Sequence, residues 1–362
     1  VAPGAEPFSF DAAALAGARA VVRERTPRGP FVATPLARDR ESEVALDDLV
    51  RFVERPVREF LRTGLGVTTR FDADEVDDAL PLELDGLGRW GVGARLLEDV
   101  LGGVHPELAR EAERRRGQLP PRALGARTLE RAEQDVRSLY LDTVDLRAGE
   151  PRTLDVDVDL GDGRRLVGTV GGIHANRLVS VSFSSVRARQ RIAAWVRLLA
   201  LSAAHPDSSF TAHTVGRGGR AGPQRSLAGP VDHRAVDWLR ALVELRDRGL
   251  TEPLPMPVRT TCAVAEAMRR QRAGDDVDLA DVARRDWETS RDRAAVPGEA
   301  EDPEHVLVHG AGSSVDVLLG PPRSDELWVP VEEGAGFRTR IGQLAWRVWG
   351  PLVMGAERMG PL

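Results

Sequence analysis

The alternation of apolar and acidic residues at 154–160 constrains the fold of this chain more than any other feature. Leu154, Val156, Val158 and Leu160 alternate with three aspartates, and a period of two is typical of a strand with one buried face. Gly161-Asp162-Gly163 follows directly, and Asp-Gly tolerates the positive φ of a tight hairpin. We therefore predict a strand that turns back at Gly161.

Two further strands and a long helix are predicted after this turn. The second strand covers Arg165 to Val170, where Gly171-Gly172 stops it, and the third covers Leu178 to Ser184. Ser184 or Ser185 would cap a helix that runs towards Ala204, because a hydroxyl there can accept a bond from a free N–H of the first turn. This order of elements predicts an α/β fold.

The charge distribution around these strands is uneven. No Asp or Glu lies between Asp162 and Asp207, although the interval holds seven arginines. The chain contains no lysine, so all 50 basic residues are arginine, a side chain suited to bidentate contact with phosphate or carboxylate. Most of them are expected on solvated helix faces and in surface ion pairs, and the net charge of −6 does not itself indicate a nucleic-acid-binding protein.

Apolar residues at helical spacing predict helices on both sides of the strands. Pro56 should kink or divide the second of these helices, because proline removes a backbone donor and clashes with the preceding turn. The predicted helices are Asp11–Arg25, Leu46–Leu61, Leu84–Leu101 (including Leu87 and Trp90), Arg127–Tyr140, Asp232–Arg248, Arg259–Arg272, Leu279–Thr289 and Arg340–Leu352.

The domain organisation predicted from these patterns is one large domain behind a Pro/Gly-rich strap at residues 1–45. The domain, residues 46–362, would have a helical part at about 46–145, a sheet core at about 150–216, and a helical and loop part at about 230–362. A split into two domains near residues 140–150 is the alternative. Ser208–Val215 predicts a further strand, Gly216–Pro230 a loop that packs no core, and Asp275–Pro303 a charged surface with one helical patch.

Neither a metal site nor a disulfide is predicted from the acidic residues, histidines and cysteine of the chain. Asp155, Asp157 and Asp159 begin like a calcium loop, but its sixth and twelfth positions are leucines instead of glycine and glutamate. His305 and His309 flank a Val-Leu-Val that favours a strand, and no Cys or carboxylate partner completes a zinc site. Cys262 is the one cysteine, which excludes an internal disulfide and favours a reducing cytoplasm; we expect it to be a small buried residue.

Three strands followed by a helix resemble the core of the PD-(D/E)xK nucleases. In that fold a carboxylate on the second strand and an (Asp/Glu)-x-Lys on the third hold Mg²⁺, because a hard cation takes oxygen ligands and activates water beside the phosphate. Here the corresponding positions are Thr169 and Val170 on the second strand and Ser182 and Ser184 on the third. The resemblance therefore predicts a degenerate nuclease-like core with a vestigial metal site, no catalytic residue and no cofactor.

Two segments near the start of the large domain resemble the C-terminal region of the RecC family, the gamma subunits of exodeoxyribonuclease V. They are LDDLVRFVERPVREFLRTGLGV (Leu46–Val67) and LELDGLGRWGVGARLLEDVL (Leu82–Leu101). LVGTVGGI, LVSVSFSSVRARQRIAAWVRLLAL and the closing LAWRVWGPLV fit in the same order. The resemblance covers most of the chain from about Pro7 and is looser after Pro206.

This resemblance implies a domain with a nuclease-like fold that has lost its catalytic residues. It would act inside a RecBCD helicase–nuclease with RecB-like and RecD-like subunits, close to double-stranded and forked DNA, in the repair of double-strand breaks and in recombination. No membrane partner is expected. Active RecB-type nucleases carry a histidine on the helix corresponding roughly to Gly91–Leu97, where this sequence has Arg95.

The arginines of the acid-free stretch are candidates for contact with DNA phosphates. They are Arg187, Arg189, Arg191 and Arg197; residues 187 and 191 share one face of a helix, and 189 lies on another. Arg187 and Arg191, with Arg217 and Arg220 of the Gly/Arg-rich loop, form the predicted DNA-binding set. Contact with a partner subunit or with solvent is the alternative for this helix.

Two other functions remain open at this point. The chain could be an active nuclease whose acids have moved to Asp155–Asp162 on the first strand. It could also be a scaffold that binds protein partners and never contacts DNA.

Overall fold

The computed structural model describes residues 11–22, 29–68, 84–161, 163–218, 222–289 and 297–362. The chain divides into two compact units, Val1–Thr34 and Pro35–Leu362. The first unit contains helix α1 (Ala12–Val22), in which no residue is buried. The last three residues of the helix predicted at Asp11–Arg25 lie outside the described residues. The domain boundaries predicted from sequence stay a prediction.

The second unit is a mixed α/β structure with a seven-stranded sheet. Its strands are β1 (Glu43–Ala45), β2 (Arg152–Asp159), β3 (Arg165–His174), β4 (Arg177–Val181), β5 (Thr211–Gly216), β6 (Gln224–Ala228) and β7 (Glu357–Pro361). Its α-helices in the described residues are α2 (Leu46–Glu54), α3 (Pro56–Glu59), α4 (Gly86–Leu101), α5 (Pro106–Arg115), α6 (Arg122–Asp142), α7 (Ala188–Ala204), α8 (Ala235–Gly249), α9 (Val258–Arg272), α10 (Leu279–Trp287), α11 (Pro303–His309) and α12 (Arg340–Pro351).

The strands are ordered β1-β3-β4-β5-β6-β7, and β2 pairs with β3. The β1–β3 and β4–β5 pairs are parallel, and the other pairs are antiparallel. Strands β2, β3 and β4 are therefore followed in the chain by helix α7 and by strand β5, which is parallel to β4. The predicted order of strands and helix is confirmed.

The hairpin predicted at Gly161 joins β2 and β3. Asp159 pairs with Arg165, and the backbone N–H of Leu160 donates to the carbonyl of Arg164 at 2.9 Å. The predicted end at Gly171-Gly172 is wrong, because Gly172 adopts a φ of 72° and the strand continues to His174. The strand predicted at Leu178 to Ser184 is β4, which is shorter than predicted and ends at Val181.

The loop predicted at Gly216–Pro230 contains a strand with two buried side chains, so the prediction that it packs no core is wrong. Strand β6 lies between β5 and β7, and both Ser226 and Ala228 are buried. Small side chains suit this interior position, and hydrogen bonds to two neighbouring strands fix the backbone. Composition alone did not reveal either effect.

Helix α7 packs the main core against one face of the sheet, called face A here. Leu178, Ala212 and Ala228 lie in register on β4, β5 and β6 and share that face with the α7 residues Ile192 and Trp195. All five side chains are buried. Burying a large apolar side chain contributes about 1.5–3 kcal/mol, so this helix is a principal source of stability for the sheet.

The opposite face of the sheet, face B, packs against helices α4 and α6. Val181 and Val215 lie in register on β4 and β5, and they form a second core with Phe183 and the helix residues Leu96 and Leu129. Side chains of a strand alternate between its two faces, so Val181 points away from Leu178. The helical part therefore covers part of face B.

Pro56 divides its helix as predicted. Arg55 leaves the helical conformation at φ −151° and ψ 69°, and Pro56 is the first residue of α3. The residue before a proline is sterically excluded from the α region, which explains the break at Arg55. Leu49 and Phe52 of α2 are buried in the main core.

The cap predicted for the long helix is wrong. Helix α7 starts at Ala188 with Arg187 in the N-cap position, and the backbone N–H of Arg187 donates to Oε1 of Gln190 at 3.2 Å. Ser184 lies too far upstream to cap the helix, since the strand ends early and an extended segment follows it.

The segment between Asp275 and Pro303 is more buried than predicted. Trp287 of α10 is fully buried, and the buried Glu299 accepts hydrogen bonds from the backbone N–H groups of Arg259 and Thr260 at the start of α9. The strand favoured between His305 and His309 is a helix, because Pro303 occupies its first turn. No helix in the described residues is long and apolar enough to cross a membrane.

Candidate functional site

A groove of about 570 Å³ lies between α4, α6 and the end of β4. We call it the basic groove and define it by Arg89, Trp90, Arg127, Arg131, Asp135, Phe183 and Arg217, which line it together with six other residues. Its lining holds four arginines and one acid. Residues that are distant in sequence meet here because β4 and β5 both end beneath the two helices.

Phe183 and Gly93 fix the floor of the basic groove. The Phe183 ring is buried beneath α4, and a Cβ at Gly93 would lie 2.0 Å from it. Only a glycine lets the helix approach this ring so closely. The guanidinium of Arg217 lies 4.2 Å from the centre of the Phe183 ring, and its Nη1 donates to Oδ2 of Asp135 at 3.2 Å.

Trp90 forms one wall of the basic groove. It is 42% exposed, and its Nε1–H donates to Oγ of Ser184 at 2.8 Å. This bond holds the indole at the strand end. The sequence pattern placed Trp90 among the apolar positions of its helix, but the core-facing residues of α4 are Val92, Leu96 and Leu97.

Three arginines of the basic groove have no acidic partner among the described residues. Arg89, Arg127 and Arg131 are exposed, and none of them forms an ion pair within the described part of the chain. Arg127 and Arg131 are four residues apart and lie on the same side of α6. The groove therefore presents uncompensated positive charge beside an exposed aromatic ring. The spacing of four was the sequence signal that could have revealed the pair.

The four predicted vestigial metal positions occupy different environments. Val170 is buried in the main core, whereas Thr169 is exposed and pairs with Asp155 of β2. Ser182 donates its backbone N–H to Val215, and Ser184 binds Trp90. The β3–β4 ladder contains only two residue pairs, Ile173 with Leu178 and His174 with Arg177. Thr169 and Val170 are therefore not paired with Ser182 and Ser184 in the sheet.

The Ser182 hydroxyl is buried and lacks a hydrogen-bond partner in the described part of the chain. The described ranges contain no group of three or more His, Cys, Asp and Glu residues arranged to hold a metal ion. His305 and His309 lie on one face of α11 with ring centres 6.1 Å apart, and both pack against Trp287. Arg95, on the helix where the resemblance leads us to expect the nuclease histidine, binds Glu113 with two bonds of 2.7 Å.

Arg191 is not available for the predicted contact with phosphate. Its side chain is 9% exposed, and its Nε and Nη2 donate to the two carboxylate oxygens of Glu357 at 2.8 and 2.6 Å. Nη1 donates to Glu266 at 2.7 Å and contacts Sγ of Cys262 at 3.2 Å. Burial lowers the pKa of Arg191, but the bonds to Glu357 and the charges around it outweigh this and raise its pKa overall.

The other predicted arginines lie in varied surroundings. Arg189 contacts Asp302 at 3.4 Å, and Arg197 approaches Asp47 to 4.0 Å. Arg187 is exposed and has no ion pair in the described ranges, and Arg217 lies in the basic groove. Arg220 lies outside the described residues. The structure thus places Arg217 in the basic groove, bonds Ser184 to the groove residue Trp90, and separates Arg191 from the groove.

Cys262 is buried, as predicted. Burial raises the pKa of its thiol, and the neighbouring Arg191 opposes this only in part. A protonated buried thiol is a poor nucleophile.

Comparison with known proteins matches this chain to one family. The family described as RecC C-terminal domain matches residues 41–269. The RecBCD enzyme subunit RecC of Mycobacterium tuberculosis (strain CDC 1551 / Oshkosh) is 41% identical over 352 residues, covering 97% of this chain and 30% of that protein. The subunit of the same description from Mycolicibacterium smegmatis is 39% identical, covering 99% and 32%. The chain thus spans about a third of the length of these curated relatives.

Proposed function

The chain belongs to the RecC family through its C-terminal domain, and on that premise we propose that it is a non-catalytic, DNA-guiding part of a RecC-like subunit. Its partners would be RecB-like and RecD-like subunits of a RecBCD helicase–nuclease, together with duplex and forked DNA. The process would be recombination and the repair of double-strand breaks. Other subunits would then cut and unwind the DNA while this domain holds and steers it.

The basic groove is the observation that carries this proposal. Three exposed arginines without acidic partners in the described residues offer contacts to phosphates, and such contacts do not depend on sequence. The exposed face of Trp90 offers a surface on which an unpaired base can stack. A strand-guiding surface requires both properties, since the strand must slide through any sequence.

The residues at the predicted metal positions support the non-catalytic part of the proposal. A divalent ion would need several oxygen ligands, whereas these positions hold Thr169, Val170, Ser182 and Ser184. The Ser184 hydroxyl is already bonded to Trp90.

DNA binding by the full chain, alone and in the assembled complex, tests the proposal. Arg127→Gln/Arg131→Gln should weaken binding of forked DNA about tenfold or more and lower the slope of log affinity against log salt by about two, because two phosphate contacts are lost. Trp90→Ala should weaken binding to single-stranded arms by about 1–3 kcal/mol.

The matched control removes the same charge elsewhere. Arg114 and Arg338 are exposed and form no ion pair within the described ranges. Arg114→Gln/Arg338→Gln should retain the wild-type affinity and salt dependence. Equal losses in the groove variant and in this control would contradict guiding by the groove, and salt-independent behaviour of the wild type would favour a scaffold that contacts only proteins.

An active nuclease is the second candidate, and the exposed aspartates of β2 are the observation that favours it. Asp157 binds Arg165 through both oxygens, and Asp159 accepts the backbone N–H of Gly161 at 2.7 Å. We expect the isolated chain to leave linear DNA intact in Mg²⁺. Cleavage that disappears in Asp157→Asn or Asp159→Asn would establish the nuclease instead.

A further inference from the structure

Three arginines and a histidine lie together on face B of the sheet, outside the basic groove. Val179, His213 and Leu227 pair in register across β4, β5 and β6, and Leu227 pairs with Arg358 of β7. Residues paired in this way share a face. Arg177 and Arg225, each two residues from a member of this row, point to the same face because side chains alternate along a strand.

The register places His213 between these arginines. Arg177 pairs with Thr211, two residues before His213, and Arg225 pairs with Val215, two residues after it. Each arginine is therefore a diagonal neighbour of His213, with Cα atoms about 7–8 Å apart. Arg358 lies two strands away at the level of His213, at about 10 Å. We call Arg177, Arg225 and Arg358 the arginine triangle.

The arginine triangle carries no compensating charge in the described residues. None of its members forms an ion pair there, although most arginines of this chain do. By contrast, Arg191 forms an ion pair on face A with Glu357, the residue before Arg358. Three like charges around one point repel each other, and a bound anion would relieve that repulsion.

Two buried polar atoms at this site lack partners in the described part of the chain. His213 is 7% exposed, and its Nδ1 has no hydrogen bond, while its Nε2 lies 3.1 Å from Oγ1 of Thr211. Nε of Arg177 is also buried and unbonded. An unsatisfied buried polar group costs about 1–3 kcal/mol, and an oxyanion can accept from both groups at once.

The pKa of His213 reflects its burial and the two arginines beside it. Burial is the main cause that lowers the pKa of His213 to about 4, and the charges of Arg225 and Arg177 lower it further. No carboxylate contributes to this shift.

We infer that the arginine triangle and His213 form a binding site for a phosphate group, held by three guanidinium groups over the buried imidazole. Guanidinium groups bind phosphate through paired hydrogen bonds. A nucleic-acid strand and a free phosphate share this chemistry. The inference stands apart from the basic groove, because it uses different residues.

Binding of two probes to the full chain tests this site. The first probe is a labelled single-stranded oligothymidylate, measured by fluorescence anisotropy at several salt concentrations. Arg225→Gln and Arg358→Gln should each weaken its binding about 3- to 10-fold and lower the salt slope by about 0.7. Arg358 is exposed, so that variant tests the site without threatening the fold. Arg338→Gln is the control of equal charge and should bind as the wild type does.

The second probe is inorganic phosphate alone, measured as a rise in unfolding temperature at millimolar concentration. A rise in the wild type that is lost in Arg358→Gln, with oligothymidylate binding unchanged, identifies a free phosphate as the source. Loss of oligothymidylate binding identifies a nucleic-acid strand. The inference is overturned if Arg225→Gln and Arg358→Gln match Arg338→Gln with both probes. Arg127→Gln/Arg131→Gln should leave the phosphate effect intact, which separates this site from the groove.

Discussion

Residue types alone did not distinguish the arginines of this chain by role. Arg187 and Arg191 are four apart and were assigned the same contact, yet one is exposed and the other is buried against Glu357, 166 residues away. The partner of Arg191 lies on the last strand, and no local pattern connects the two. Charge spacing predicts a helix face, whereas burial depends on what the rest of the chain places against that face.

Replacing Arg191 should be strongly destabilising. Arg191→Met leaves Glu357, whose side chain is 4% exposed, without its guanidinium partner, and breaking a buried pair from one side costs about 3–5 kcal/mol. Arg165→Met breaks the pair with Asp157, in which both side chains are more than half exposed, and should cost less than about 1 kcal/mol. Urea unfolding of both variants measures the difference. Similar losses would show that the Arg191 site is not closed to water.

His305 should make stability fall in acid. Burial, followed by the charges of His309 and Arg189, lowers its pKa to about 3 from the usual 6.5. The unfolded chain therefore binds a proton below about pH 6.5 that the folded chain refuses until about pH 3. Unfolding free energy should decrease through that window by up to about 1.4 kcal/mol per pH unit.

Urea unfolding at pH 7, 6 and 5 measures this slope. His305→Phe keeps an aromatic ring against Trp287 but cannot titrate, so it should reduce the slope by up to about 1.4 kcal/mol per pH unit, while the share of the buried His213 remains. The exposed His233 provides the comparison, and His233→Gln should leave the slope unchanged. An unaltered slope in His305→Phe would assign the acid sensitivity to other groups.

Single elements were predicted best where one face is buried and the pattern is long. The aspartates of β2 are exposed and its valines buried, as their alternation indicates. Helices α8, α9 and α12 lie within a few residues of their predicted bounds. Strands β6 and β7 escaped prediction because the sheet supplies their hydrogen bonds from distant residues.

Helix α4 offers a test of how tightly the basic groove is built. Gly93→Ala would place a methyl group about 2 Å from the buried Phe183 ring and should cost about 1–3 kcal/mol through overpacking. Gly91→Ala meets only Nη1 of Arg95, at 3.3 Å, and should gain up to about 1 kcal/mol from reduced chain entropy. Thermal unfolding compares the two. A stabilising Gly93→Ala would mean that α4 does not rest on Phe183.

At the scale of the whole molecule, sequence reasoning predicted the α/β class and the succession of elements but missed the groove, and the nuclease-like core stays a prediction. Trp90 and Phe183 are 93 residues apart, and Arg127 comes from a third element. These residues lie together because α4 and α6 pack on face B. That packing depends on tertiary contacts such as those of Leu96 and Leu129 with Val215. The family resemblance was recoverable because it rests on order and residue type along the chain.

Stability should be distributed unevenly over the chain. Helix α1 has eleven residues and none is buried, and an isolated helix of this length is marginal in water. Twelve of the seventeen residues of α7 are buried. In hydrogen exchange followed by mass spectrometry, amides of α1 should exchange within seconds and those of α7 only through global unfolding. Comparable protection in the two helices would contradict this ranking.

The bond between Glu357 of β7 and Ser226 of β6 has a consequence for synthesis on the ribosome. The two residues are 131 positions apart, so at about 5–20 residues per second about 7–26 seconds pass before the last strand can cover β6. During that time β6 presents an open edge to other nascent chains. Translation speed after residue 228, rather than the stability of the finished fold, should therefore govern how much of this protein reaches its native state.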